Sequence, residues 1–123
     1  MLDSLLIIDF SNTVIRSFCV HQEFEFDGVC TGGLFGTINQ LVNQIKTYFP
    51  THVIVCKDSP PYLRKKHYPD YKSDRKTTED PVRRQKIKES FQLSEEFFNQ
   101  IKVPVWEEKG LEADDLIAFV INQ

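Results

Sequence analysis

Two short apolar runs that each end at an aspartate restrict this chain more than any other feature. Leu5-Leu6-Ile7-Ile8 ends at Asp9, and Val53-Ile54-Val55-Cys56 passes through Lys57 to Asp58. Apolar runs this short, closed by turn-forming residues and lacking polar alternation, read as strands covered on both faces, the pattern of a parallel sheet. Val103 to Trp106, apolar but containing Pro104, fits a third, short strand at the sheet edge, where a missing N–H is tolerated. Helical patterns fill the intervals, and alternation of strand and helix predicts an α/β fold with a parallel sheet and flanking helices.

The helices and turns follow from local chemistry. Asn12 to about Val20 reads as a short helix that Ser11 or Asn12 can cap. Phe24 and Phe26 alternate with Glu23 and Glu25 ahead of Asp27-Gly28, which predicts a small β-ribbon turning there. Thr31 to Tyr48 carries Leu34, Ile38, Leu41, Val42, Ile45 and Tyr48 at helical spacing and is expected to turn that face to the core. Asp80 and Pro81 open the next helix as cap and first-turn residue, with Val82, Ile87, Phe91, Phe97, Phe98 and Ile101 along it. Gly110 breaks the chain, and Leu111 to Ile121 forms a last helix. Phe24, Phe26 and the phenylalanines from Phe91 to Phe98 are expected in the core. Gly32, Gly33 and Gly36 ease a helix start rather than cradle phosphate, since no Lys-Ser or Lys-Thr follows them.

At 123 residues and 41% hydrophobic, the chain is expected to form one domain, 1–123, with its own core. No stretch approaches the roughly twenty apolar residues of a membrane span, and Met1 to Ile8 lacks a basic n-region and cleavage site, so the protein is expected to be cytoplasmic. Cys19, Cys30 and Cys56, odd in number and widely spaced, argue against disulfides or a metal knuckle and are expected to be small buried hydrophobes. Charge is segregated: residues 57–88 hold eleven Lys or Arg against five Asp or Glu, whereas the rest of the chain has four against thirteen. A basic middle suits a phosphate backbone and an acidic remainder suits metal, although a solvated charged loop gives the same composition.

The carboxylates fall where a ligand would collect. Asp9 and Asp58 close strands, and in open parallel sheets ligands gather beyond the carboxyl ends of the strands. Glu112, Asp114 and Asp115 crowd the start of the last helix and repel one another unless a cation sits between them. Hard oxygen donors without clustered His or Cys suit magnesium or manganese rather than zinc. Each carboxylate also has an ordinary reading. A lone Asp after a strand serves as a cap or turn residue, and acids in a first turn favour the helix dipole. With 3.6 residues per turn, Glu112 must lie in the non-helical cap for all three to converge. His21, His52 and His67 are isolated and read as surface or structural residues.

Several motifs occur together in one order: Ile7-Ile8-Asp9-Phe10-Ser11 with Arg16 downstream, Thr31-Gly32-Gly33-Leu34-Phe35-Gly36, Val55-Cys56-Lys57-Asp58, Tyr71-Lys72-Ser73-Asp74-Arg75, and Gly110-Leu111-Glu112-Ala113-Asp114-Asp115. In that order and approximate spacing the chain resembles the N-terminal half of the 5′-nuclease family, which includes flap endonucleases, phage 5′-exonucleases and the 5′-exonuclease domain of bacterial family A DNA polymerases. The resemblance implies a PIN-like (resolvase-like) fold. It also implies magnesium- or manganese-dependent hydrolysis of phosphodiester bonds at 5′ ends and flaps of DNA, extending to RNA in primer hybrids. Carried over position by position, it implies Asp9, Asp58, Glu112, Asp114 and Asp115 as metal ligands, and Arg16, Lys72 and Arg75 as basic residues near the scissile phosphate. Lys72 and Arg75, three apart, share a face if their segment is helical and reach one phosphate together. Tyr71 and Tyr68 are candidates to stack on an unpaired base.

Against the family pattern the chain is C-terminally incomplete. It stops at Gln123, before the further parallel strand, the Gly-Asp-x-Asp turn with two more ligands and the helix-turn-helix duplex-binding module that the resemblance would add. The expectation is that a second polypeptide or segment completes the sheet and the metal site, beside the strand Leu5 to Asp9. Asp115→Ala is expected to abolish cleavage with little change in fold, and Lys72→Ala to slow it while sparing metal affinity. Two alternatives stay open: a non-catalytic nucleic-acid-binding subunit, and a PIN-type ribonuclease. The second is weakened because Gln40 and Gln44, not a carboxylate, occupy the first long helix. A haloacid-dehalogenase-like phosphatase is disfavoured because Ser11 stands where a second Asp would be needed.

Overall fold

The computed structural model describes residues 3–60 and 80–122. Along the chain it has β1 (Leu5–Asp9), α1 (Phe10–Val20), β2 (Glu25–Phe26), β3 (Val29–Cys30), α2 (Gly32–Tyr48), β4 (His52–Cys56), α3 (Pro81–Gln100), β5 (Val105–Trp106) and α4 (Ala113–Ile121). β1, β4 and β5 form a parallel sheet in that order. The register pairs Asp9 with Cys56 and Cys56 with Trp106, so the three strands end level with one another. The α/β parallel architecture expected from the apolar runs is the one observed. The fifth strand begins one residue after Pro104, whose carbonyl accepts the Val55 N–H (2.9 Å), so the proline joins the ladder as an acceptor only.

Alternation along the strands sorts side chains to two faces. Ile8 and Val55, with Leu6, Val53 and Val105 beside them, pack with Phe10, Val14, Leu41 and Phe98 from α1, α2 and α3. Cys56, with Ile7 and Trp106 against it, packs under Ala113 and Leu116 of α4. Phe91, Phe97 and Phe98 lie in or against the first cluster, as expected. Among the described residues β1 has a partner on one side only, so its outer edge is free.

Several details differ from the sequence expectations. α1 starts at Phe10 rather than Asn12, and its cap is Asp9, which accepts the Asn12 N–H (3.3 Å), rather than Ser11 or Asn12. Burial of Phe10 against Phe91 and Phe98 begins the helix as soon as the strand ends. The apolar stripe of α2 faces the core only in part. Val42 and Ile45 are each 40% exposed and Tyr48 more so, while Gly32, Gly33, Gly36 and Thr37 are buried.

That reversal has a steric cause. A Cβ on Gly33 would collide with Ser90 of α3, and one on Gly36 would lie 2.5 Å from the Cβ of Ser17 on α1. Gly32 and Gly33 open the helix as expected, and Gly33 and Gly36 also set close helix crossings. Gln40 completes the α1–α2 seam, donating to the Ser17 hydroxyl (2.7 Å) and the Thr13 carbonyl. The ribbon forms as expected, with Asp27 (φ 51°) and Gly28 (φ 79°) in the left-handed conformation its turn needs. Its phenylalanines are not core, however. Phe26 is 73% exposed and Phe24 leans on His21 and Phe35 at the surface. Cys30 and Cys56 are buried as expected; Cys19 is exposed.

Candidate metal centre

The level strand ends place Asp9, at the last position of β1, beside Asp58, two residues past β4. α4 is brought to them by a backbone clasp. Gly110, in a left-handed conformation (φ 90°), donates to the Ser59 carbonyl (2.8 Å), and the Ser59 N–H donates to the Leu111 carbonyl (3.0 Å). The clasp delivers the first turn of α4 to Asp58, whose Oδ1 accepts the Ala113 N–H, while its Oδ2 accepts the Ser11 hydroxyl (2.7 Å).

Asp9, Asp58 and Asp114 thereby come together from three segments of sequence. Burial pushes the Asp9 carboxyl above its ordinary range; the negative charges of Asp114 and Asp58, and a hydrogen bond shared with Asp114, push it the same way against the opposing Asn12 N–H. Cys56, paired with Asp9 across the strands, has its thiol raised by burial and then by the Asp9 charge. Negative charge is crowded at this rim, which is the electrostatic condition a bound dication relieves.

The other two carboxylates are used differently. Glu112 is the cap of α4 in extended conformation (φ −86°, ψ 162°), outside the helix as its geometry required. It is 4% exposed, and it joins Asp115 in a reciprocal capping box. The Glu112 side chain accepts the Asp115 N–H, and Asp115 Oδ2 accepts the Glu112 N–H (3.0 Å). Among the described residues no three His, Cys, Asp or Glu side chains close around a single point. The donors are hard carboxylate oxygens, the right chemistry for magnesium or manganese, and Asp9 has both Asp114 and Asp58 within electrostatic reach.

Among the described residues, Arg16 forms no hydrogen bond or ion pair with these carboxylates. It lies on exposed α1 surface and lines a cleft of about 330 Å³ with Asn39, Gln40 and Asn43 of α2, and among the described residues it forms no ion pair. Lys72, Arg75, Tyr68 and Tyr71 lie outside the described residues. Two participants were not foreseen. Ser11, expected as a possible cap and given no role at the site, is the hydroxyl donor to Asp58, and its signal was a Ser two residues after a strand-ending Asp. Lys57 forms a 2.7 Å ion pair with Glu95 of α3 and lies 5.9 Å from the Phe10 ring centre, on the sheet face away from α4.

Fold and rim together define a resolvase-like α/β domain with carboxylates gathered at the strand ends. The chain belongs to the 5′-3′ exonuclease N-terminal resolvase-like domain family, which matches residues 4–123. It is 33% identical over 122 residues to a 5′-3′ exonuclease of Aquifex aeolicus, covering 98% of this chain and 40% of that protein. It is 29% identical over 124 residues to DNA polymerase I of Mycobacterium tuberculosis, covering 98% of this chain and 13% of that protein. Among solved structures it resembles bacteriophage T5 5′-exonuclease with bound zinc, with a TM-score of 0.70 and 18% identity over 96% of this chain and 43% of that one. A complex of the bacteriophage T5 flap endonuclease with DNA and metal ions gives a TM-score of 0.67 at 19% identity. The chain thus spans well under half the length of these relatives. Structural relatives bind divalent metal ions. Among the described residues no helix is long and apolar enough to cross a membrane.

Proposed function

We propose that this chain supplies the first part of the metal site of a magnesium-dependent 5′-nuclease acting at 5′ ends or flaps of DNA, including RNA–DNA primer hybrids. The observation that carries the reading is the crowding of Asp58, past one strand, and Asp114, in the first turn of α4, onto Asp9 at the end of the neighbouring parallel strand, with the Asp9 carboxyl raised by burial and by these two charges. Family membership supports it. A hard dication held there would supply Lewis acidity at the phosphate and a water made more acidic than bulk water.

The chain's own residues do the rest. Asp9 and Asp114 present carboxylates to the ion and Asp58 holds the first turn of α4 against them. Glu112 and Asp115, joined in the capping box, fix the direction in which that turn leaves the rim and are assigned, with their remaining lone pairs, to the same ion. Lys72 and Arg75 are assigned to the scissile phosphate, where cations offset developing charge. Arg16, in its cleft along α1, is assigned to a phosphate further along the strand. Glu112 and Asp115 each accept one N–H in the cap and keep lone pairs for an ion; further ligands would come from water, another segment or a second polypeptide, and the free edge of β1 is where a strand carrying them would add.

A second reading, a non-catalytic nucleic-acid-binding subunit, is supported by the absence among the described residues of three side chains closing around one point. Cleavage of a labelled 5′-flap DNA decides between them, assayed with and without Mg2+, by this chain alone and mixed with the separately produced remainder of the Bacillus subtilis 5′-3′ exonuclease, a relative 32% identical. Mg2+-dependent cutting that is lost in Asp114→Asn supports the nuclease. Flap binding without cutting in either format supports the binding subunit.

A further inference from the structure

Ser11 has no role in capping α1, because Asp9 takes that position and its Oδ1 accepts the Asn12 N–H. Its hydroxyl is instead 2.7 Å from Asp58 Oδ2, across 47 residues of sequence. The Ala113 N–H occupies the other oxygen of the same carboxylate. Two donors on two different oxygens fix the plane of a carboxylate, whereas one donor leaves it free to turn about its last torsion, which is broad and roughly two-fold for Asp. An ionised carboxylate has about four lone-pair positions. Two accept these hydrogen bonds, and the remaining ones are left for a cation.

The Ser11 side chain is itself held in place. Phe10, 1% exposed, packs its ring 5.6 Å from that of Phe91 and 6.3 Å from that of Phe98, so the residues on either side of it cannot drift. Asp9 on one side of this anchor carries a rim carboxylate, and Ser11 on the other reaches a second. One buried phenylalanine therefore sets the spacing between the two.

We infer that Ser11 is a positioning residue for cation binding: with the Ala113 N–H, its hydroxyl fixes the plane of the Asp58 carboxylate beside Asp9 and so sets the direction in which the remaining lone pairs are offered to an ion. The inference rests on the nuclease reading of the rim. Groups that hydrogen-bond a metal-ligating carboxylate commonly control affinity by about 10- to 100-fold. The hydroxyl must donate, so threonine can replace serine here and alanine cannot.

The test is Mn2+ binding, read from loss of the free-ion electron paramagnetic resonance signal, for the parent chain and for Ser11→Ala, Ser11→Thr, Asp9→Asn and Asp114→Asn. Thermal melts in the absence of metal correct each value for the folded fraction. The expected result is that Ser11→Ala weakens Mn2+ binding about tenfold, that Ser11→Thr restores it to near the parent value, and that the loss in Ser11→Ala survives the folding correction. Parent-like affinity in Ser11→Ala, a loss that vanishes on correction, or a Ser11→Thr as weak as Ser11→Ala would each overturn the positioning role. If Asp9→Asn and Asp114→Asn also bind Mn2+ like the parent, the ion is not held at this rim and the nuclease reading fails with it. If they lose binding while Ser11→Ala does not, only the positioning role fails.

Discussion

Asp58 and Ala113, 55 residues apart in sequence, are joined by a hydrogen bond from the Ala113 N–H to Asp58 Oδ1. This bond ties the segment after β4 to the first turn of α4 and, with the Ser11 hydroxyl on Oδ2, makes one carboxylate a junction of three elements. Asp58→Ala leaves both donors without their acceptor in a partly buried place. A loss of about 1–3 kcal/mol in unfolding free energy is expected, measured by urea denaturation without metal. Asp58→Asn keeps one acceptor oxygen and is expected to lose less. Equal stability of parent and alanine variant would show that the junction does not hold the fold together.

Asp114 and Asp115 are adjacent, yet the structure separates their roles. Asp115 accepts the Glu112 N–H within the capping box, and Asp114 is exposed beside Asp9. Asp115→Ala is therefore expected to cost about 0.5–2 kcal/mol of stability, the usual range for losing a helix cap. Asp114→Ala should change stability little and remove most of the Mg2+-induced rise in melting temperature. Thermal melts of both variants, with and without Mg2+, check the pair; the reverse pattern would reassign the two residues.

The sheet was legible because its signal is local. An unbroken apolar run closed by a turn residue has few foldings, and both such runs became neighbouring parallel strands. The acidic rim followed from the same runs, since whatever ends a strand of a parallel sheet stands at its carboxyl edge. Which carboxylates also serve as backbone acceptors that tie elements together was not legible. Asp58, Glu112 and Asp115 each accept a backbone N–H, and backbone donors leave no trace in residue type. The core-facing side of α2 was misjudged for a related reason. Periodicity finds large apolar residues, whereas α2 approaches α1 and α3 through Gly33, Gly36 and Thr37, where the absence of side-chain volume is the signal.

Gly36 tests that seam directly. A methyl group there would lie 2.5 Å from the Ser17 Cβ and 2.9 Å from its Oγ, on a backbone that packs rigidly against α1. Overpacking of this kind typically costs about 1–3 kcal/mol, so Gly36→Ala should lower the urea midpoint despite alanine's better helix propensity. Ser17→Gly in the same chain removes the Cβ and Oγ contacts but leaves the Ser17 Cα 2.8 Å away, so it should recover only part of the loss, and it also takes away the acceptor that Gln40 uses. A Gly36→Ala variant as stable as the parent would mean that the α1–α2 crossing is looser than the structure has it.

Asp9 makes the strongest prediction, because its charge works against folding until a cation arrives. Its carboxyl is raised from the ordinary value of 3.8, by burial first and by Asp114 and Asp58 after that. A group that binds its proton more tightly when folded adds stability below its unfolded pKa and loses that contribution as pH rises through the folded one. At neutral pH the ionised parent therefore carries a penalty that Asp9→Asn lacks, while asparagine keeps an oxygen able to cap Asn12. In metal-free buffer Asp9→Asn is expected to melt higher than the parent at pH 7, with the gap closing as pH falls below about 4. Mg2+ should reverse the order, because an ion bound only to the folded parent adds about 2.7 kcal/mol at a hundred times its dissociation constant. An Asp9→Asn variant that melts lower than the parent at pH 7 without metal, or gains as much from Mg2+, would show that Asp9 is an ordinary helix cap and that no cation depends on it.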